Sequence, residues 1–116
     1  VTYRFGVDCP GGDIRLTVPH YDGALTEIFV DGVHAGEIIF PPYELELKEL
    51  SAGRHEIEVK LYTNRRNAFG TVHLYDKKCH CIGPDAWRTS GCQWSYEYVL
   101  RNVGVESAPV IYSLKK

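Results

Sequence analysis

Glu56-Ile57-Glu58-Val59-Lys60-Leu61 is the stretch whose reading decides the fold. Its apolar residues, Ile57, Val59 and Leu61, take every second position, and Glu56, Glu58 and Lys60 lie between them. Successive side chains of an extended strand point to opposite faces, so this spacing gives one face to a core and the other to water. A helix would scatter the same residues around its axis.

The pattern recurs outward from there in both directions. Tyr3, Phe5 and Val7 alternate with Arg4 and Asp8, and Ile14, Leu16 and Val18 alternate with Arg15 and Thr17. Tyr43, Leu45 and Leu47 alternate with Glu44, Glu46 and Lys48. Trp94, Tyr96, Tyr98 and Leu100 alternate with Ser95, Glu97 and Arg101, which predicts a further strand with these aromatics turned inward. Turn residues separate the runs at Pro10-Gly11-Gly12-Asp13, Tyr21-Asp22-Gly23 and Ser51-Ala52-Gly53. Asp31-Gly32, between Glu27–Val30 and Val33–Phe40, is a two-residue hairpin signal. Pro41-Pro42 suits neither a helix nor a central strand. No segment carries a helical repeat of ordinary length. The alternation weakens between Tyr62 and Trp94, which reads as long loops around one short strand near Thr71–Tyr75. Short strands at this spacing, divided by turns, predict an all-β, antiparallel sandwich.

The 116 residues suit one domain, expected to span residues 1–116. A chain of this size buries roughly two-thirds of its unfolded surface and holds a core without staples. With 13 basic and 15 acidic residues and a net charge of −2, no concentrated positive surface for nucleic acid is expected. The longest apolar stretch, Ile38 to Pro42, falls far short of the roughly 20 residues a membrane helix needs, so no membrane partner is expected. The chain opens inside what reads as a strand and contains no Met, so it is expected to be a segment of a longer protein. Its four cysteines match no disulfide framework, and their redox state stays open.

Several segments together resemble the galactose-binding-like β-sandwich, a jelly roll. They are Ile28-Phe29-Val30-Asp31-Gly32-Val33-His34-Ala35-Gly36, Tyr43-Glu44-Leu45-Glu46-Leu47, and Ala52-Gly53-Arg54-His55-Glu56-Ile57-Glu58-Val59. Sugar-binding domains of family 2 glycoside hydrolases look like this, with a similar hydrophobic-Asn/Asp-Gly hairpin. Gly83-Pro84-Asp85-Ala86-Trp87-Arg88-Thr89, followed by Trp94-Ser95-Tyr96-Glu97-Tyr98, resembles the C-terminal sandwich of large bacterial glycoside hydrolases. The resemblance covers roughly Tyr3 to Val110. It implies a non-catalytic accessory domain that packs against the catalytic domain of its own parent chain and possesses, in some members, a carbohydrate site. It transfers no ligand residue. Calcium accompanies sandwiches of this kind by analogy, through backbone carbonyls that sequence does not display.

The loop residues offer three chemistries. Trp87, beside Arg88 and Asp85, joins a ring that stacks on the C–H face of a sugar to hydrogen-bonding groups, and His20-Tyr21-Asp22 repeats the combination. Arg65 adds a planar donor fork. The competing reading buries Trp87 under its loop or against a neighbouring domain, the commoner fate of a large aromatic. His73, Cys79, Cys81 and Cys92 have zinc-ligand chemistry, but Cys79-His80-Cys81 departs from the usual Cys-x-x-Cys spacing. Separate thiols, or one disulfide, fit them equally in kind, and no metal or other cofactor is assigned. Asp22 or Asp85 would serve a small hydrolase, but each also suits a turn, and the strand carboxylates Glu44, Glu46, Glu56 and Glu58 point outward.

Overall fold

The computed structural model describes residues 1–75, 83–87 and 89–114, the side chains of Asp85 and Ala86 apart. Among the described residues nine strands follow in chain order. They are β1 (Thr2–Cys9), β2 (Gly12–Thr17), β3 (Tyr21–Asp22), β4 (Leu25–Val30), β5 (Val33–Ile38), β6 (Glu44–Leu50), β7 (Gly53–Tyr62), β8 (Gly104–Val105) and β9 (Val110–Leu114). The only helical turns among the described residues are α1 (Arg66–Phe69) and a 3₁₀ turn at Pro84–Trp87. None of these is long and apolar enough to cross a membrane.

The chain divides into two compact units, Val1–Thr63 with Val103–Lys116, and Asn64–Asn102. The first is an all-β sandwich. One sheet runs β1-β7-β4-β5 and the other β6-β2-β9, all antiparallel, with β3 and β8 forming a small pair of their own. β7 lies between β1 and β4, so Val59 sits opposite Tyr3 on one side and Ile28 on the other. Its alternation works as read: His55, Ile57, Val59 and Leu61 are buried, and Glu56, Glu58 and Lys60 are not.

Two sheets share the interior. Ile28, Ile38, Ile57 and Val59 from one sheet cluster with Leu16 and Val18 from the chain of β2 in the other. Leu45 and Ile111 pack against this cluster, and Tyr3, Phe5 and Val7 close its β1 side. Thr26 is a fully buried polar residue in this interior, and its hydroxyl donates to the Ile38 carbonyl at 3.2 Å. A buried hydroxyl without a partner would cost about 1–3 kcal/mol, and this bond removes that cost.

The β4–β5 hairpin turns at Asp31 (φ 50°) and Gly32 (φ 80°), as two-residue primed turns require. Asp31 also fastens the turn to β7. One of its carboxylate oxygens accepts the Glu56 N–H at 2.8 Å, and the other lies 2.5 Å from His55 Nδ1. A second device bends β6, where the register shifts against β2 and Glu49 takes φ 54° with its N–H donated to Asp13.

The strand expected over Trp94–Leu100 is absent. Trp94 makes a single bridge to Leu74, and Tyr96 (89 % exposed), Tyr98 and Leu100 face water. That bridge is also all that forms of the strand expected near Thr71–Tyr75. Alternation needs a neighbouring strand and an opposing layer to become a sheet face. Here Tyr75, Ser95 and Val99 instead donate their N–H groups to the Gln93, His73 and Val72 carbonyls in an irregular loop. Asn67 holds the loop's base, donating to the Arg101 carbonyl and accepting the Arg101 N–H, as a backbone group would.

Candidate functional site

The most distinctive surface of the Asn64–Asn102 unit is aromatic. His73 donates from Nδ1 to the Ser95 carbonyl at 2.8 Å, which fixes its ring. Trp94 stacks on one side of that ring with centroids 5.6 Å apart, and Tyr98 lies against it at 4.7 Å. Tyr96 meets Trp94 edge-on at 4.3 Å. The order Tyr98, His73, Trp94, Tyr96 thus forms a chain of rings whose two tyrosines are exposed. Aromatic pairs at such distances gain about 0.5–1.5 kcal/mol beyond their buried area, which keeps exposed rings in place. The sequence pattern did pick out Trp94, Tyr96 and Tyr98, but it assigned them to the interior.

Of the loop residues expected to bind a ligand, Trp87 and Asp85 share the 3₁₀ turn Pro84–Trp87, and Trp87 is 55 % exposed. Arg88 lies outside the described residues. Arg65 is exposed and occupies the N-cap position of α1 without a capping side-chain hydrogen bond. Tyr21 and Asp22 belong to the sandwich unit, where they form β3 opposite Val105 and Gly104. The Tyr21 hydroxyl donates to the Ile38 carbonyl at 3.1 Å, and its ring meets Tyr43 edge-on. Burial, and then the neighbouring Tyr43, push its phenol above the ordinary tyrosine range. Tyr21 is therefore engaged in packing.

Among the metal candidates, His73 sits in the aromatic chain, and its Nδ1 is taken by Ser95. Cys92 is exposed with a free thiol, whereas Cys79 and Cys81 lie outside the described residues. Cys9 is free and buried, and burial followed by Asp8 and Asp31 raises its thiol above the usual range.

The described residues that come together with metal-ligand chemistry are different ones. Glu27, His34 and Glu37 place one ligand atom each within 4.8 Å of one another, on β4 and β5. Glu27 faces Glu37 directly across the ladder, His34 Nε2 lies 3.3 Å from Glu37, and the Tyr62 hydroxyl donates to Glu27 at 2.7 Å. Sequence reasoning missed this group because the bulge between Ile28 and Phe29, which sets the register, has no signal in residue spacing.

Some charges on the outer strand faces are paired. Arg15 bridges Glu44 and Glu46, and Arg4 bonds Glu58. The Glu46 hydrogen bond and then the Glu44 charge hold the Arg15 guanidinium above its ordinary value.

The chain matches no protein-family model and no curated protein. It is similar to a solved structure, the rhamnosidase from Novosphingobium sp. PP1Y, with a TM-score of 0.58 and 18 % sequence identity. The likeness covers 95 % of this chain and 10 % of the rhamnosidase, so the chain spans about a tenth of that protein's length. At this identity the likeness is one of fold.

Proposed function

We propose that this chain is an accessory β-sandwich domain of a glycoside hydrolase, without catalytic groups of its own, that packs against the catalytic domain of the same parent chain. The supporting observation is the fold likeness to one tenth of a rhamnosidase, spread over nearly all of this chain. A segment that occupies so small a share of a large enzyme serves it most simply as a structural module, and fold alone assigns no chemistry. The galactose-binding-like jelly-roll resemblance agrees with the same role. The test is a parent chain made with and without this segment, together with the isolated segment. Loss of the parent's thermal stability on deletion, with no turnover of aryl glycosides by the segment, is the expected result. Turnover by the isolated segment, silenced by Asp85→Asn or Asp22→Asn, would overturn the reading.

The ring chain Tyr98, His73, Trp94 and Tyr96 favours a second reading, in which the domain also binds carbohydrate. Exposed rings offer flat apolar faces to sugar C–H groups, while tyrosine hydroxyls and the His73 ring supply polar edges. Retardation of the isolated segment in a glycan affinity gel, removed by Tyr96→Ala with Tyr98→Ala, is expected under this reading. Trp87→Ala tests the 3₁₀ turn as a separate platform. Equal migration with and without glycan would leave the structural role alone.

A further inference from the structure

β1 is the edge strand of its sheet, and among the described residues it pairs with β7 alone. Val1 and Leu61 exchange both backbone hydrogen bonds, at 2.9 and 2.7 Å. Antiparallel pairs alternate between bonded and non-bonded positions, so Tyr3, Phe5 and Val7 also bond to β7. Thr2, Arg4, Gly6 and Asp8 then direct their N–H and C=O groups to the open side. Such a row is a template for another strand. On the outer face Arg4 is ion-paired with Glu58 at 2.9 Å, and Asp8 lies 3.7 Å from Arg54. Both Arg4 and Asp8 side chains stay mostly in water, at 65 % and 78 % exposure.

We propose that this edge pairs antiparallel with the same edge of a second copy of the chain, about a two-fold axis at Gly6. The register follows from which residues bond outward. With Gly6 opposite Gly6, Arg4 falls opposite the second copy's Asp8, and Asp8 opposite its Arg4. Each cross-strand row then reads Glu58, Arg4, the second copy's Asp8 and the second copy's Arg54, alternating in sign throughout. Gly6 adds no side chain of its own at the centre, and the Arg54 guanidinium of the same chain lies over it. On the inner face Phe5 falls opposite the second copy's Val7, and both are only half-buried in the single chain. A groove of about 350 Å³, lined in part by Tyr3, Phe5, Val59, Val105 and Pro109, lies beside Phe5. Charges on an edge strand ordinarily deter indiscriminate pairing, and in this register they select a single partner. The contact is one strand wide and smaller than a standard interface of about 1,600 Å², so association in the micromolar range is expected.

Charge reversal tests the register directly. Sedimentation of the chain at high-micromolar concentration should give a dimer. Arg4→Asp alone sets like charges at both symmetric contacts, as does Asp8→Arg alone, and each should weaken the dimer about tenfold or more. An equimolar mixture of the two variants restores opposite charges at both contacts and should recover the dimer as a heterodimer. Both positions are exposed, and circular dichroism should match the unaltered chain. A monomeric unaltered chain, single variants that dimerise as well as it does, or a mixture that stays monomeric would each overturn the proposal.

Discussion

Ile28→Ala, set beside Tyr96→Ala, separates residues that alternate from residues that are buried. Ile28 has no solvent exposure, lies in β4 between Gly36 of β5 and Val59 of β7, and meets Leu16 and Val18 from across the sandwich. Truncation removes three carbons from a site closed on every side. Isoleucine-to-alanine changes of this kind cost about 2–5 kcal/mol, because the lost transfer energy adds to that of the cavity. Full burial and the cross-sheet neighbours place this one near 3 kcal/mol or above. Against a total stability of about 5–15 kcal/mol, that is a large fraction. At about 4–8 °C for each kcal/mol in a domain of this class, Tm should fall by roughly 12–24 °C. Tyr96 belongs to an equally regular alternation but is 89 % exposed, and it packs edge-on against the Trp94 ring. Its truncation should cost about 1 kcal/mol or less. Urea unfolding of both variants, followed by circular dichroism, reads the difference as a change in midpoint at constant slope. Equal losses for the two, or a loss below about 1 kcal/mol for Ile28→Ala, would refute the assignment of interior and surface.

Three further outcomes follow from individual contacts. The Asp31 hydrogen bond, first among its causes, raises His55 above its ordinary value of 6.5, and the His55 hydrogen bond, first in turn, lowers Asp31 below 3.8. The His55 contribution is complete below 6.5 and lost as pH rises through its higher folded value. The Asp31 contribution is complete above 3.8 and lost as pH falls through its lower folded value. The Tm gap between the unaltered chain and His55→Gln should therefore be widest between about pH 4 and 6.5 and narrow in alkali, and a gap that widens in alkali would contradict the pair. Gly32→Ala meets no atom within 4 Å but forces an alanine to φ 80°, which should cost about 1–2 kcal/mol in the denaturant midpoint. Iodoacetamide should modify Cys92 in the native chain and Cys9 only after unfolding, as read by peptide mass mapping, because Cys9 is buried with a raised thiol pKa.

The sandwich was legible wherever polar and apolar residues strictly alternate, as in β1, β2, β6 and β7. Those strands have one face on the core and one in water, and their composition records it. Asp31-Gly32 was legible for a separate reason, since two consecutive positive φ angles restrict the residue choice. β9 was not, because Val110-Ile111-Tyr112 is apolar throughout while Ile111 alone packs inward. Trp94-Ser95-Tyr96-Glu97-Tyr98 misled in the opposite sense, since aromatic alternation without a pairing strand builds an exposed ring chain. Candidate site residues were legible only as chemical types. Nothing in their spacing says that Tyr21 spends its hydroxyl on Ile38, or that Glu27 and Glu37 stand opposite one another across a bulged ladder.

Nuclear Overhauser contacts of Val59 examine the two-layer interior most directly. Its backbone should show cross-strand contacts to Tyr3 on one side and Ile28 on the other, and its methyl groups should join a network that includes Leu16 of the facing sheet. Contacts from Val59 to sequence neighbours alone, or to Tyr3 and Ile28 without any path to Leu16, would mean that the two sheets do not close over a common core.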